Sequence, residues 1–250
     1  MAQNIYDTAE FFTEYSRLPR SVHGLDGAPE WPTLRGLVGD VKDQHILDLG
    51  CGFGWFARWA VQEGHAQTVL GIDLSENMLR RARDETQKAG IGEGIITYSC
   101  RNLEEVTLSE LQYNLAYSSL ALHYLPNEPL KRLLGQVFKS LVSGGKFVFS
   151  IEHPVASAPF DAFWKMGEDG RVYWPLNQYW DEGLRVTNWL APGVRKYHRT
   201  VDTYLTYLID AGFVLRAFKE AWEGLDLRPK LEEKGEAHRP YFLLVAVTKP

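Results

Sequence analysis

From His45 to Ile151 short apolar runs alternate with segments of helical period, and this rhythm restricts the possible folds more than any other feature of the chain. His45-Ile-Leu-Asp-Leu49 predicts a first strand, closed by glycines and followed by an Ala/Trp-rich helix to about Glu63. Thr68–Ile72 predicts a second strand closed by Asp73. Ser75 then reads as an N-cap, because its hydroxyl can accept an N–H left unpaired in a first helical turn. Met78, Leu79 and Ala82 form the apolar stripe of that helix. Ile95–Tyr98 and Tyr113–Tyr117 predict a third and a fourth strand. Leu130, Leu133, Leu134, Val137, Phe138, Leu141 and Val142 share one helical face, which predicts a helix ended by Gly144-Gly145. Lys146–Ile151 is the expected fifth strand. Strands alternating with helices imply βαβ units and a mostly parallel sheet covered on both faces.

The rhythm breaks between 152 and about 198, where Pro154, Pro159, Pro175 and Pro192 interrupt any sustained period. A segment of this length inside a compact domain is expected to be a functional insertion or lid. An amphipathic helix from Thr200 to Ala211 follows, ended by Gly212. Phe213–Ala217 and Tyr241–Thr248 then predict two strands paired antiparallel at one edge of the sheet. The 250 residues thus read as one domain: an N-terminal cap (1–40), a cofactor-binding core (41–151), an aromatic-rich insertion (152–198) and a C-terminal helix with a strand pair (199–250). Four of the eight tryptophans (Trp164, Trp174, Trp180 and Trp189) fall in the insertion, which predicts an aromatic-lined pocket.

Charge and cysteine content narrow the partners. With 27 Lys and Arg against 32 Asp and Glu, the net charge of -5 leaves no cation excess to neutralise phosphates, so a nucleic-acid partner is not expected. Cys51 and Cys100 have no metal-ligand spacing, and a bound metal is not expected either. No apolar stretch approaches the ~20 residues of a membrane helix, and the start lacks a signal-peptide pattern. The expectation is a cytoplasmic protein, monomer or homodimer, acting on a small molecule.

The first strand runs into Asp48-Leu-Gly50-Cys51-Gly52-Phe-Gly54-Trp55. Glycines between strand and helix let backbone approach a ligand at the C-terminal edge of the sheet. The dinucleotide fingerprint G-x-G-x-x-G fits poorly from Gly50, because its third glycine would be Trp55; from Gly52 the looser form tolerates Ala57. Asp48 would repel a pyrophosphate, whereas a cofactor with a cationic amino end suits it. Asp73, at the second strand end, can accept hydrogen bonds from a ribose diol. Leu74 and Met78 can flank an adenine, and the Asn102 amide beside Leu103 can read its amino edge.

Together ILDLGCGFGWFARWA, VLGIDLSENMLRRAR, YNLAYSSLALHYL and LVSGGKFVFS resemble the class I S-adenosylmethionine-dependent methyltransferases. The likeness is greatest to the small-molecule branch that includes the ubiquinone/menaquinone methyltransferases. It spans about residues 45–151, plus AGFVL and YFLLVAV near the C-terminus. The resemblance implies an α/β, Rossmann-like, doubly wound seven-stranded sheet, mostly parallel with one antiparallel edge strand. It also implies S-adenosyl-L-methionine as cofactor and S-adenosyl-L-homocysteine as product. Asp48 and the loop Gly50, Cys51, Gly52 and Gly54 would then face the methionine, with Ser118 nearby and Arg20 or Arg17 meeting its carboxylate. Asp73 would hold the ribose, and Leu74, Met78, Asn102 and Leu103 the adenine. Many relatives carry Asp where this chain has Asn102, whose carbonyl can still accept the adenine N–H.

Methyl transfer from a sulfonium is a direct displacement, so the protein must hold the nucleophile in line and exclude water. A base is needed only where the nucleophile carries a proton. His123, Glu152 and His153, at strand ends facing the cofactor, are the candidates. Trp174 and Tyr179 in the insertion, with His198 and Arg199 at its end, are the expected substrate wall. The alternatives are a nicotinamide-dependent oxidoreductase and a cofactor-binding domain without turnover.

Overall fold

Every position of the run His45–Leu49 except its first is buried, as a strand covered on both faces requires. The computed structural model describes residues 2–221, 232–233 and 237–250, so part of the C-terminal unit 199–250 lies outside the described residues. Ahead of that run come α1 (Ala9–Ser16), α2 (Pro19–Val22) and α3 (Trp31–Val38), with 3-10 turns at Ile5–Asp7 and Gly24–Gly27. The alternation then follows as β1 (His45–Leu49), α4 (Trp55–Gln62), β2 (Thr68–Asp73), α5 (Glu76–Lys88), β3 (Ile96–Cys100), β4 (Tyr113–Ser119), α6 (Asn127–Ser140) and β5 (Leu141–Glu152). Beyond lie α7 (Pro154–Ser157), the short strands β6 (Lys165–Met166) and β7 (Val172–Tyr173), β8 (Gly183–Trp189), β9 (Ala191–His198), α8 (Val201–Asp210), β10 (Val214–Ala221) and β11 (Phe242–Thr248).

Seven strands form one sheet in the order β10-β11-β5-β4-β1-β2-β3. All neighbours pair in parallel except β11, which is antiparallel to both β5 and β10 and lies one strand in from the edge. The strand order reverses between β1 and β4, which opens a crevice at their C-terminal ends where ligands bind in open α/β sheets. Period-two alternation divides the core. Leu47, Leu49, Phe147, Phe149 and Ile151 pack beneath α6 and α8, whereas Ile46, Tyr117 and Val148 pack beneath α3 and α4. By the same alternation Asp48, Ser119 and Glu152 share the face of Ile46, Tyr117 and Val148.

Two expectations are corrected here. The helix α6 ends at Ser140 rather than at Gly144-Gly145, and β5 begins at Leu141. Leu141 pairs with Tyr113, and the buried Ser140 hydroxyl turns back onto the Val137 carbonyl; sheet pairing overrides two residues of helical period. The insertion, in turn, is not aperiodic. β8 and β9 form an antiparallel hairpin turned at Leu190, which adopts φ 61°. Its buried positions include Arg185, Lys196 and His198, so an apolar/polar reading found no alternation there. Arg185 is satisfied by the carbonyls of Ala158, Gln178 and Asp181 at 2.9, 3.3 and 2.5 Å. Among the described residues, no helix is long and apolar enough to cross a membrane.

Candidate active site

Beyond Leu49 the chain turns through Gly50, Gly52 and Gly54, all at positive φ, before α4 begins. The Gly50 and Cys51 N–H groups donate to the Ile72 carbonyl at 2.7 and 3.1 Å, which fastens the loop to β2. The glycines differ in purpose. A Cβ at Gly54 would fall 2.2 Å from the Tyr98 hydroxyl, so that glycine serves packing against β3. A Cβ at Gly52 would meet nothing within 4 Å among the described residues, so its bare face opens on free space. The Gly52 N–H donates to Asp73 Oδ2 at 2.8 Å, and Asp73 Oδ1 accepts from the Ser75 N–H at 2.9 Å. Burial pushes the Asp73 carboxyl up, against the pull of these N–H bonds. As the sequence suggests, Ser75 caps α5, accepting from the Met78 N–H at 3.1 Å.

A cavity of about 430 Å³ lies over these strand ends. Gly50, Gly52, Asp73, Leu74, Met78, Asn102 and Leu103 form one wall. Tyr6, Tyr15, His123, Tyr124, Glu152 and Trp189 form the other, and Arg20, Ser119 and Phe242 also line it. A smaller cavity of about 90 Å³ shares Tyr15, Arg20, Gly50, Gly52 and Ser119 with the first and reaches Asp48 and Cys51. Asp48 is 2% exposed, and its Oδ2 has no hydrogen-bond partner among the described residues. Burial, with the Asp73 charge added, pushes the Asp48 carboxyl well above the usual carboxylate range. Arg20 is held at 3.0 Å by the buried Glu30. Asn102 accepts the Glu104 N–H at 2.9 Å through the carbonyl expected to face adenine.

On the opposite wall Glu152 is ion-paired with the buried Lys196. Burial opposes ionisation of Glu152, but the Lys196 ammonium beside it holds the carboxyl below its usual range. Burial pushes His123 down to about 4, and its Nδ1 accepts the Glu152 N–H at 3.5 Å. The ring is therefore neutral near pH 7, with its proton on Nε2. Tyr6 and Tyr124 join hydroxyl to hydroxyl at 3.1 Å.

Several expected site residues lie elsewhere. Ser118 faces α6 and donates to the Leu49 carbonyl at 2.8 Å; its neighbour Ser119 takes the cavity position by strand parity. His153 turns away from the cavity, capping α7 through Nδ1 and meeting Glu220 at 2.8 Å through Nε2. His198, fully buried, meets Ser157 and the Tyr179 carbonyl, both at 2.9 Å. The Tyr179 hydroxyl accepts from the Val201 N–H at 3.2 Å. Arg199, also fully buried, donates to the Leu125 carbonyl, to Asn127 Oδ1 at 2.7 Å and to the Tyr204 hydroxyl at 3.3 Å. The Trp174 indole donates to the Val155 carbonyl at 2.9 Å, and its ring lies 3.8 Å from the Arg239 guanidinium carbon. None of these six expected residues, nor Gly54, lines either cavity. The insertion does supply cavity wall, through Trp189, Arg195 and Tyr197 instead. Sequence reasoning also missed Tyr6, Glu30 and Tyr124, although Tyr124 directly follows the candidate His123.

Residues 46–145 match a family described as a methyltransferase domain. The crystal structure of an S-adenosylmethionine-dependent methyltransferase from Mesorhizobium loti superimposes with a TM-score of 0.80 at 47% identity, over 90% of this chain and all of that one. The chain belongs to the S-adenosylmethionine-dependent methyltransferases. An uncharacterized protein of Haemophilus influenzae is 32% identical over 249 residues, 98% of this chain and 97% of its own. A ubiquinone biosynthesis O-methyltransferase of Coxiella burnetii is 26% identical over 110 residues, so the match spans 44% of each chain. This methyltransferase uses S-adenosylmethionine as methyl donor and releases S-adenosylhomocysteine, which sets aside the nicotinamide alternative. The residues fit that cofactor: Asp48 Oδ2 is a buried acceptor with no partner among the described residues, and the open face of Gly52 adjoins Asp73.

Proposed function

We propose that the methyltransferase acts on a small acceptor bound between the cofactor wall and Glu152, His123 and the Tyr6–Tyr124 pair. The carrying observation is one cavity of about 430 Å³ that reaches from Asp73 to Glu152, a size typical of small-molecule sites. Asp73 is assigned to the ribose hydroxyls, Leu74, Met78, Asn102 and Leu103 to the adenine, and Gly50 and Gly52 to the chain leading to the sulfur. When bound, the cofactor supplies a methyl group on a sulfonium whose departure leaves a neutral thioether.

The protein's own groups then set direction and protonation. Glu152, kept ionised by Lys196, accepts the hydrogen bond of an acceptor hydroxyl or amine and takes its proton. Neutral His123 donates from Nε2 and orients the acceptor rather than serving as the base. Tyr6, Tyr15, Tyr124, Trp189 and Phe242 exclude water and suit an aromatic or apolar acceptor body. This aromatic wall, with the partial match to the Coxiella enzyme, supports an acceptor of the ubiquinone/menaquinone type. Cap, core and insertion are read as one catalytic unit, because each contributes to this cavity.

Incubating the protein with labelled S-adenosylmethionine and a metabolite extract tests the reading, and methylated product must appear. Glu152→Gln should then lower turnover by about 10²–10⁴-fold while leaving S-adenosylhomocysteine affinity unchanged. Unaltered turnover in that variant would remove Glu152 from the chemistry. Absence of product from any extract would favour a binding domain without turnover.

A further inference from the structure

The small cavity of about 90 Å³ beneath the glycine loop gathers buried polar atoms whose pairing the fold leaves incomplete. Among the described residues, Asp48 Oδ2, Ser21 Oγ, Trp55 Nε1 and Glu30 Oε1 are buried without a hydrogen-bond partner, and all four residues line this cavity; Glu30 Oε1 still meets the Arg20 guanidinium at 3.0 Å, which leaves the first three unpaired. Asp48 and Ser21 are 2% and 1% exposed as whole residues. A buried polar atom left without a partner is costly, so three around one void point to a group that enters and satisfies them.

The chemistry of the three atoms describes that group. The indole N–H only donates, the serine hydroxyl can donate, and Arg20 beside them is a cation. Asp48 is an acceptor. Donors and an acceptor on one small void match a zwitterion, with its carboxylate toward Ser21, Trp55 and Arg20 and its ammonium toward Asp48. The shared lining of Gly50, Gly52 and Ser119 lets one molecule extend from the larger cavity into this one.

Trp55 is also held in place for such a role. Gly24, at φ +61°, packs so closely that a Cβ there would fall 2.5 Å from the Trp55 ring. The Arg58 guanidinium carbon lies 4.7 Å from the ring centroid, and Arg58 is itself anchored at 2.6 Å to the Phe53 carbonyl. This is the same tryptophan that spoils the dinucleotide fingerprint. We propose that Trp55 and Ser21 bind the carboxylate of the cofactor's methionine end, donating from the indole N–H and the hydroxyl. Bulk at position 55 then selects an amino-acid cofactor by hydrogen bonding as well as by blocking a pyrophosphate.

Calorimetric titration with three probes tests the assignment: S-adenosylhomocysteine, its decarboxylated analogue (which keeps the amine) and 5′-methylthioadenosine (which lacks both groups). Trp55→Phe should weaken S-adenosylhomocysteine binding by about 10-fold or more and Ser21→Ala by about 5-fold, since each loses a hydrogen bond to a charged group. Both variants should bind the other two probes within about twofold of the unmodified protein, as expected when only a carboxylate contact is lost. A loss shared equally by all three probes would show that the residues only shape the pocket, and would overturn the assignment. So would full retention of S-adenosylhomocysteine affinity, which would leave the cavity to water. Binding of methylthioadenosine by each variant reports that it has folded.

Discussion

The two walls of the cavity proposed as the active site, one assigned to the cofactor and one to the acceptor, are built on opposite plans. The cofactor wall comes from consecutive strand ends of a parallel sheet, where Gly52, Asp73 and Ser75 are joined by short backbone bonds. The acceptor wall is assembled from segments far apart in the chain. Gln3 bonds the Gly193 carbonyl at 2.8 Å and accepts the Arg195 N–H at 2.8 Å, tying the N-terminal segment to the β8–β9 hairpin. Lys196 crosses to Glu152 at the end of β5. One wall is supported by the core of the domain, the other by buried charges satisfied one by one. A local motif can therefore specify the first, whereas the second depends on long-range pairing.

Substitutions on each side should separate these plans. The largest effect is expected on the cofactor wall. Asp73→Ala should weaken S-adenosylhomocysteine by about 10²–10⁴-fold, because two hydrogen bonds to a charged group are lost together. Calorimetry on the folded variant checks this; undiminished affinity would remove the ribose assignment. On the acceptor side Arg199→Met should cost about 3 kcal/mol of stability, since the Leu125 carbonyl and Asn127 lose a buried donor. Denaturant unfolding measures the loss, and the acceptor KM should stay unchanged well below the melting temperature. A raised KM with unaltered stability would return Arg199 to the substrate wall.

The smallest effect concerns pH. His123 has its pKa lowered from 6.5 to about 4 by burial. The unfolded chain therefore takes up this proton before the folded one does. Its contribution is present above the unfolded pKa and is lost as pH falls from 6.5 toward 4. Between about pH 6.5 and about pH 5 the unmodified protein should lose about 1.5 kcal/mol more stability than His123→Gln. Equal pH slopes would place His123 in solvent contact and weaken the case for a neutral hydrogen-bond donor there.

How far the sequence reached follows the same division. Ser75 as N-cap, Met78 on the buried stripe, the glycine loop and Asp73 at a strand end were all readable, because each rests on neighbours within a few residues. The β5 boundary was missed, since Leu141 satisfies a helical stripe and a strand pair equally well. Ser118 was named although Ser119 lines the cavity, because the parity of a strand buried on both faces is invisible until its partners are known. The tryptophan surplus also misled. Trp174 packs against Arg239 and Trp164, holding the insertion to the C-terminal segment, whereas Trp189 reaches the cavity.

The sequence by itself determined the mostly parallel sheet, the glycine loop at a strand end and the carboxylate beyond it. Hydrophobic period and strand-end position are local, and the right-handed βαβ crossover leaves little freedom beyond them. Only the tertiary structure decided which charges are spent inside the protein and which face a ligand. His198 and Arg199 look like binding groups in the sequence, yet each is consumed by carbonyls or side chains brought from elsewhere. Trp55 and Ser21 carry no binding signal in the sequence, yet their polar atoms, unpaired among the described residues, border the small cavity. A buried polar atom must find a partner, and whether that partner is protein or ligand depends on contacts between distant segments.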